Sequence, residues 1–399
     1  MADRTYPFAN RIRNVDGGAI DDILKASADP SVISLAGGNP ASELFPGKEL
    51  AEIAYGLLTE QPALTLQYSV ARGYAPLREA VLAMIKERDR IIPDGDDIII
   101  TSGSQQGMDF AAKCLLNEGD KVLVENPSFL GALGCFMGYG AKLVGVDMEA
   151  DGVSVEGLAK ALAEHTGVKL LYTIPNFQNP TGITMSEEKR REVYRLCAEH
   201  DVLIIEDNPY GELTFTGEKK PSLKSMDTEG IVIYCGSFSK ILAPGIRVGY
   251  IVAPAEIVKR MAEAKQANDT HSPMITQLMV YEYLRRHDIG ENIQRMRELY
   301  RRKCRLMLDE ADAFFPAAVS HTNPGGGLFV WCDMGGDYDT VQVYNECVKH
   351  KVAFVPGAPF MADPSKRCSA FRLNYSTMPD EKITAGMRIL GAALREIMG

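Results

Sequence analysis

Ser237-Phe238-Ser239-Lys240-Ile241-Leu242-Ala243-Pro244-Gly245-Ile246-Arg247-Val248-Gly249 is the stretch on which the reading of the fold turns. Before it runs an apolar, β-branched segment, Ile231-Val232-Ile233-Tyr234-Cys235, which predicts a buried strand. Lys240 therefore falls in a loop just past a strand end, where doubly wound α/β sheets place their ligands. Pro244 and Gly245 force a turn between the lysine and Arg247. Two hydroxyls, a guanidinium and an amine in one tight loop suit a phosphorylated carbonyl compound. The first groups hold phosphate and the amine adds to the carbonyl. A lone lysine is more commonly a solvated surface charge, and the phosphate-loop pattern G-x-x-x-x-G-K-[ST] does not occur.

Outward from this loop, strand and helix patterns alternate from about 96 to 255, which predicts a doubly wound, mostly parallel sheet. Ile98-Ile99-Ile100-Thr101 reads as a strand running into Ser102-Gly103-Ser104-Gln105-Gln106-Gly107 and then a helix over 108–116. Such a strand–turn–helix start aims unpaired N–H groups and a helix dipole at an anion. A second strand over 121–125 leads to Asn126-Pro127-Ser128-Phe129, where Phe129 is either a ring-stacking group or a core residue. Gly138-Tyr139-Gly140 follows a helix and precedes a strand, the wrong order for a dinucleotide fingerprint, and reads as a helix stop. Asn179-Pro180-Thr181-Gly182 is a turn by its chemistry. The apolar run 202–206 ends at Asp207-Asn208-Pro209-Tyr210, so a carboxylate stands at the edge of a buried strand. There it needs a partner or serves as a cap.

Toward the termini the signals are sparser. Ile33-Ser34-Leu35-Ala36-Gly37-Gly38-Asn39-Pro40 marks a loop whose backbone passes close to something. Tyr68 precedes a loop into a helix reaching about 88, and beyond 255 helices are expected over 257–266, 275–284, 289–313 and 340–349. Short strands around 328–331, 353–357 and 371–376 suit a smaller α+β unit. Arg372, between Phe371 and Leu373, turns to the opposite strand face from both.

Taken in order, these motifs resemble the class I/II aminotransferases among the fold-type-I pyridoxal-phosphate enzymes, and the flavour of the 2-aminoadipate, kynurenine and aromatic aminotransferases. The match S-x-S-K-x-x-x-P-G-x-R-x-G carries most of the specificity. The resemblance spans 34–376 and implies a large cofactor-binding domain over 46–290. A smaller one is implied from 1–45 and 291–399. It implies pyridoxal 5′-phosphate on Lys240, with Asp207 on the ring nitrogen and Asn179 and Tyr210 on the ring oxygen. Phe129 would stack on the ring, although many relatives carry tyrosine there. Ser104, Gln105, Ser237, Ser239 and Arg247 would hold the phosphate. Gly38, Asn179 and Arg372 would meet the substrate, with Arg372 clamping its α-carboxylate. Lys240, Asp207 and Tyr210 form the implied catalytic set.

The implied reaction moves an amino group from an L-amino acid to a 2-oxo acid such as 2-oxoglutarate, in a homodimer whose sites are shared through Tyr68. A cysteine-conjugate β-lyase, a decarboxylase and a non-enzymatic ligand sensor on the same scaffold are the alternatives. About thirty residues before Ser34 are too few for the DNA-binding domain such sensors carry. Around 17–24 the chain offers Asp21 and Asp22 rather than a base, with Arg11 and Arg13 further upstream. An acidic donor would be repelled there, so aromatic or large aliphatic donors are expected.

Composition agrees with this class. The 399 residues carry 43 basic and 53 acidic side chains, a net charge of −10 that argues against a nucleic-acid surface. No apolar run approaches a membrane span, and no leader pattern opens the chain. The eight cysteines are scattered singles, as in a cytoplasmic protein. The six histidines show no metal-ligand spacing.

Overall fold

Apolar side chains alternate between two burial sets along the central strands, and that alternation explains the layering. Val122, Leu170, Ile205 and Ile233 belong to one core cluster, while Leu123, Leu171, Ile204 and Val232 belong to another. A strand that buries both faces must be covered by helices on both sides. The computed structural model describes residues 6–13, 29, 31–92, 94–216 and 218–399. The segment 17–24 lies outside the described residues, as does the Arg13 side chain.

In chain order the strands are β1 (Ile33–Ser34), β2 (Asp96–Thr101), β3 (Lys121–Asn126), β4 (Lys142–Glu149), β5 (Gly152–Val153), β6 (Val168–Thr173) and β7 (Leu203–Asp207). They continue with β8 (Val232–Ser237), β9 (Gly249–Pro254), β10 (Ser320–His321), β11 (Phe329–Asp333), β12 (Val352–Ala353), β13 (Val355–Pro356) and β14 (Ala370–Asn374). The large sheet has the order β2-β9-β8-β7-β6-β3-β4-β5. All its pairings are parallel except those of β9 with β2 and β8, and of β5 with β4. The carboxyl ends of β2, β3, β6, β7 and β8 therefore share one edge, and the start of the reversed β9 joins them. Arg247, two residues before β9, reaches that edge only because the strand runs backwards.

A second, antiparallel sheet has the order β10-β11-β14-β13. Between it and the large sheet the chain is mainly helical, with Ala255–Asn268, Met274–Arg286 and the long Ile289–Phe314. β1 pairs in parallel with β12, so an N-terminal segment completes structure made near the other end of the chain. Asn374 N–H also donates to the carbonyl of Leu35, at 2.8 Å. Among the described residues no helix is long and apolar enough to cross a membrane, and no cluster of His, Cys, Asp or Glu could hold a metal. The cysteines are free; Cys114, Cys135 and Cys368 are half-buried and the other five buried.

Candidate active site

The loop after β8 is closed on itself before it meets anything else. Phe238 N–H donates to Val248 O at 3.1 Å, and Leu242 N–H to Phe238 O at 2.9 Å. The Ser237 hydroxyl accepts from Ser239 N–H at 3.1 Å. The turn holds Lys240 with its Nζ donating to the carbonyl of Gly38 at 2.5 Å. Burial, with Arg372 and Arg247 nearby, lowers the lysine from its ordinary value to about 8. About a tenth of the amine is therefore neutral at pH 7, far more than for an ordinary lysine.

Arg247 sits in the left-handed region at φ 55° and bridges two strand ends. Its guanidinium donates to Ser239 Oγ at 3.3 Å and to Ser102 O at 3.0 Å. Gly103, at φ +81°, caps the helix Ser104–Leu115, and a Cβ there would lie 2.3 Å from Arg247 Nη2. The glycine is thus needed both for its backbone angle and for the approach of the arginine. Ser104 and Gln105 open that helix, where free N–H groups favour an anion. Gln105 Nε2 donates to Gly131 O at 2.8 Å, and a Cβ on Gly131 would meet the Phe129 ring at 2.6 Å.

Asp207 ends β7, 2% exposed. Its Oδ2 accepts from the Tyr172 hydroxyl at 2.9 Å, while Oδ1 is buried with no partner among the described residues. Burial pushes this carboxyl up to about 7, against the pull of the Tyr172 bond. Asn179 is delivered by a braced turn. Gln178 donates to Glu125 at 3.1 Å and to Pro127 O at 2.8 Å, and accepts from Thr181 N–H and Oγ1. Fully buried Arg190 holds the preceding residues through Pro175 O and Asn176 Oδ1. Tyr210 packs edge-to-face on Phe329, with centroids 5.7 Å apart. Burial raises its hydroxyl, against Arg372 and the side chain of Asn179.

Arg372 comes in from the second sheet. It donates to Asn179 Oδ1 at 2.8 Å and to Ala36 O at 2.6 Å, and its buried Nε has no partner among the described residues. Its guanidinium carbon lies 4.3 Å from the centroid of Phe329 and 5.0 Å from that of Phe360. Burial lowers it to about 10.

One cavity of about 390 Å³ brings together Gly38, Ser104, Gln105, Phe129, Asn179, Asp207, Tyr210, Ser237, Ser239, Lys240, Arg247 and Arg372. Tyr68 stands outside it, 82% exposed, its ring 6.0 Å from that of His271. Sequence reasoning missed Tyr172, Phe329 and the Glu125 brace. Phe329, two residues after the triple glycine 325–327, was a usable signal; Tyr172 had none beyond its place in a strand.

A doubly wound α/β sheet with a half-shielded lysine, a buried carboxylate and an anion cradle at one edge defines an enzyme of amino-group chemistry. The chain belongs to the aminotransferase class I and II family, whose model matches residues 30–390. It is 37% identical over 395 residues to aromatic-amino-acid aminotransferase 1 of Thermococcus litoralis, across 98% of this chain and 94% of that protein. It is 37% identical over 394 residues to the 2-aminoadipate transaminase of Thermus thermophilus, across 98% and 97% respectively. The solved structure of Pyrococcus horikoshii kynurenine aminotransferase, in complex with PMP, superposes with a TM-score of 0.95 at 34% identity over 98% of each chain. The protein is an enzyme of the transaminase type with the fold-type-I architecture.

Proposed function

We propose that the cavity holds pyridoxal 5′-phosphate through Lys240 and passes an amino group from an aromatic or large aliphatic L-amino acid to a 2-oxo acid such as 2-oxoglutarate. The observation that carries this reading is the unpartnered, buried Oδ1 of Asp207 in the same cavity as Lys240 and the Ser104–Arg247 anion cradle. A carboxylate so buried needs a cationic or N–H partner, and a protonated pyridine nitrogen is one. The PMP held by the Pyrococcus horikoshii relative supports the same fit.

When bound, pyridoxal phosphate supplies an electron-withdrawing ring that takes up the electron pair left at the substrate Cα. The protein's residues do the rest. Ser104, Gln105, Ser237, Ser239 and Arg247 hold the phosphate. Asp207 keeps the ring nitrogen protonated, Asn179 and Tyr210 donate to the ring oxygen, and Phe129 offers its face for stacking. Arg372 grips the α-carboxylate and orients the Cα–H bond. The Lys240 amine would take that proton from Cα and deliver it to the cofactor's C4′, a role its lowered pKa suits.

The cavity lining includes Leu130, Ile174, Phe329 and Val355, the last two beside Arg372, which supports an apolar donor side chain. The two arginines and the lysine of the lining are all assigned above, so no cation remains among the lining residues for a second carboxylate. The test is kcat/KM for phenylalanine, leucine and 2-aminoadipate with 2-oxoglutarate as acceptor. A lead of more than about tenfold for 2-aminoadipate, about 1.4 kcal/mol, overturns the donor assignment. Absence of 2-oxo acid product from every donor overturns the whole reading.

The same proposal covers assembly and setting. Residues 1–45 and 291–399 form the smaller unit around the 46–290 domain, supported by the β1–β12 pairing. The enzyme is a homodimer, supported by the exposed Tyr55, Leu66, Tyr68 and Val70. It works in the cytoplasm, as its free thiols favour.

A further inference from the structure

We propose that Tyr172 is a positioning residue for amino transfer: its phenol, bonded to Oδ2 of Asp207, fixes that carboxylate's orientation and ionisation and so presents Oδ1 to the cofactor's ring nitrogen. The inference rests on the cofactor reading above. Tyr172 is the penultimate residue of β6 and pairs in register with Ile205 of β7. Ile205 and Asp207 share a strand face, so the phenol extends along the sheet toward the carboxylate beyond its own partner. The bond is 2.9 Å long between two buried groups. Phe136 holds the phenol ring edge-on at 5.7 Å.

Among the described residues the titratable groups facing Asp207 are few. They are Tyr172 from β6, Cys235 from β8, Glu125 from β3 and Tyr210 from its own loop, and none of these is a cation. Lys240 and Arg372 share its cavity. Burial drives the Asp207 carboxyl toward its neutral form, and the Tyr172 bond opposes this. The phenol's own pKa lies well above its ordinary value, raised first by burial and then by Asp207, so it stays a donor at every working pH. A donor bonded to the charged form favours that form. Without it, Oδ2 would also be stranded, and the carboxylate would be free to rotate and to take up a proton. A neutral acid there cannot stabilise a protonated ring nitrogen.

The experiment reconstitutes the parent enzyme, Tyr172→Phe and Asp207→Asn with pyridoxal phosphate labelled with 15N in the ring. Solid-state NMR then follows ring-nitrogen protonation against pH, alongside kcat and KM. For Tyr172→Phe the midpoint of deprotonation falls by about one pH unit or more. Its kcat drops about tenfold, with the KM of the amino donor within about twofold of the parent. A Tyr172→Phe midpoint equal to the parent's, with Asp207→Asn losing the proton, overturns this inference alone. If Asp207→Asn also keeps the parent midpoint, the assignment of Asp207 to the ring nitrogen fails first. Should Tyr172→Phe not fold, 4-aminophenylalanine at the same position supplies a weaker N–H donor. It lowers the midpoint by a smaller step, and an unchanged midpoint overturns the inference.

Discussion

Arg372 and Asn179, 193 positions apart, are joined by a 2.8 Å hydrogen bond that ties the second sheet to the turn after β6. The same guanidinium reaches Ala36 O, so three separate segments meet on one side chain. Lysine offers a point charge and cannot reproduce this fork. Arg372→Lys is expected to lower kcat/KM for amino acids by about a hundredfold, or about 2.7 kcal/mol. Steady-state kinetics check it, and a loss below threefold would place the carboxylate clamp elsewhere.

Lys240→Ala removes the one amine that lines the cavity. Transamination is expected to vanish, together with any borohydride-reducible link between protein and cofactor. Mass spectrometry after reduction reads the second outcome directly; a persisting link would move the nucleophile to another lysine.

The apo-protein offers a pH test of the same amine. Its folded pKa, about 8, lies below the ordinary lysine value of 10.5, so between these limits the unfolded chain binds a proton that the folded chain does not. Stability from this group therefore rises with pH across that window and is lowest below pH 8. In Lys240→Met the contribution is absent. The parent should gain about 3 kcal/mol on the variant as pH climbs from 8 to 10.5, somewhat less for solvent reaching the amine through the cavity mouth. Denaturant unfolding of the two apo-proteins measures it, and a pH-independent difference would contradict the lowered pKa.

Tyr68 lies outside the cavity of its own chain, so its proposed role needs a second subunit. Lys240→Ala and Tyr68→Ala chains, each inactive or severely impaired alone, should regain part of the activity when subunits exchange. Each hybrid dimer then owns one site free of both changes. Full activity from a monomeric preparation, seen by sedimentation, would contradict the shared site.

The parts of this site legible in the sequence are those whose chemistry is local. Ser237 to Arg247 announces itself because a phosphate-holding loop needs its hydroxyls, turn and guanidinium within a few residues. Asp207 was legible because it ends an apolar strand, and Asn179 because it opens the Asn-Pro-Thr-Gly turn. The Tyr172–Asp207 bond was not, because it depends on which strands pair and in what register, 35 positions apart. The reversal of β9 was equally hidden, since an apolar strand reads the same in either direction. Phe329 beneath Arg372 joins β11 to β14, and a one-residue slip between those strands would have separated them.

The joining of β1 to β12 has a consequence for how the enzyme is made. Ile33 and Leu35 donate to Lys351 O and Ala353 O, and the hydroxyl of Ser376 donates to Asn39 O. The segment around Asn39 thus acquires hydrogen-bond partners from residues translated far later, 337 positions on for Ser376. A nascent chain released before residue 351 carries every strand of the large sheet and Lys240, yet has neither Arg372 nor the β12 that pairs with the segment leading to Gly38. Substrate recognition in this sense waits on residues translated after the whole of the large sheet.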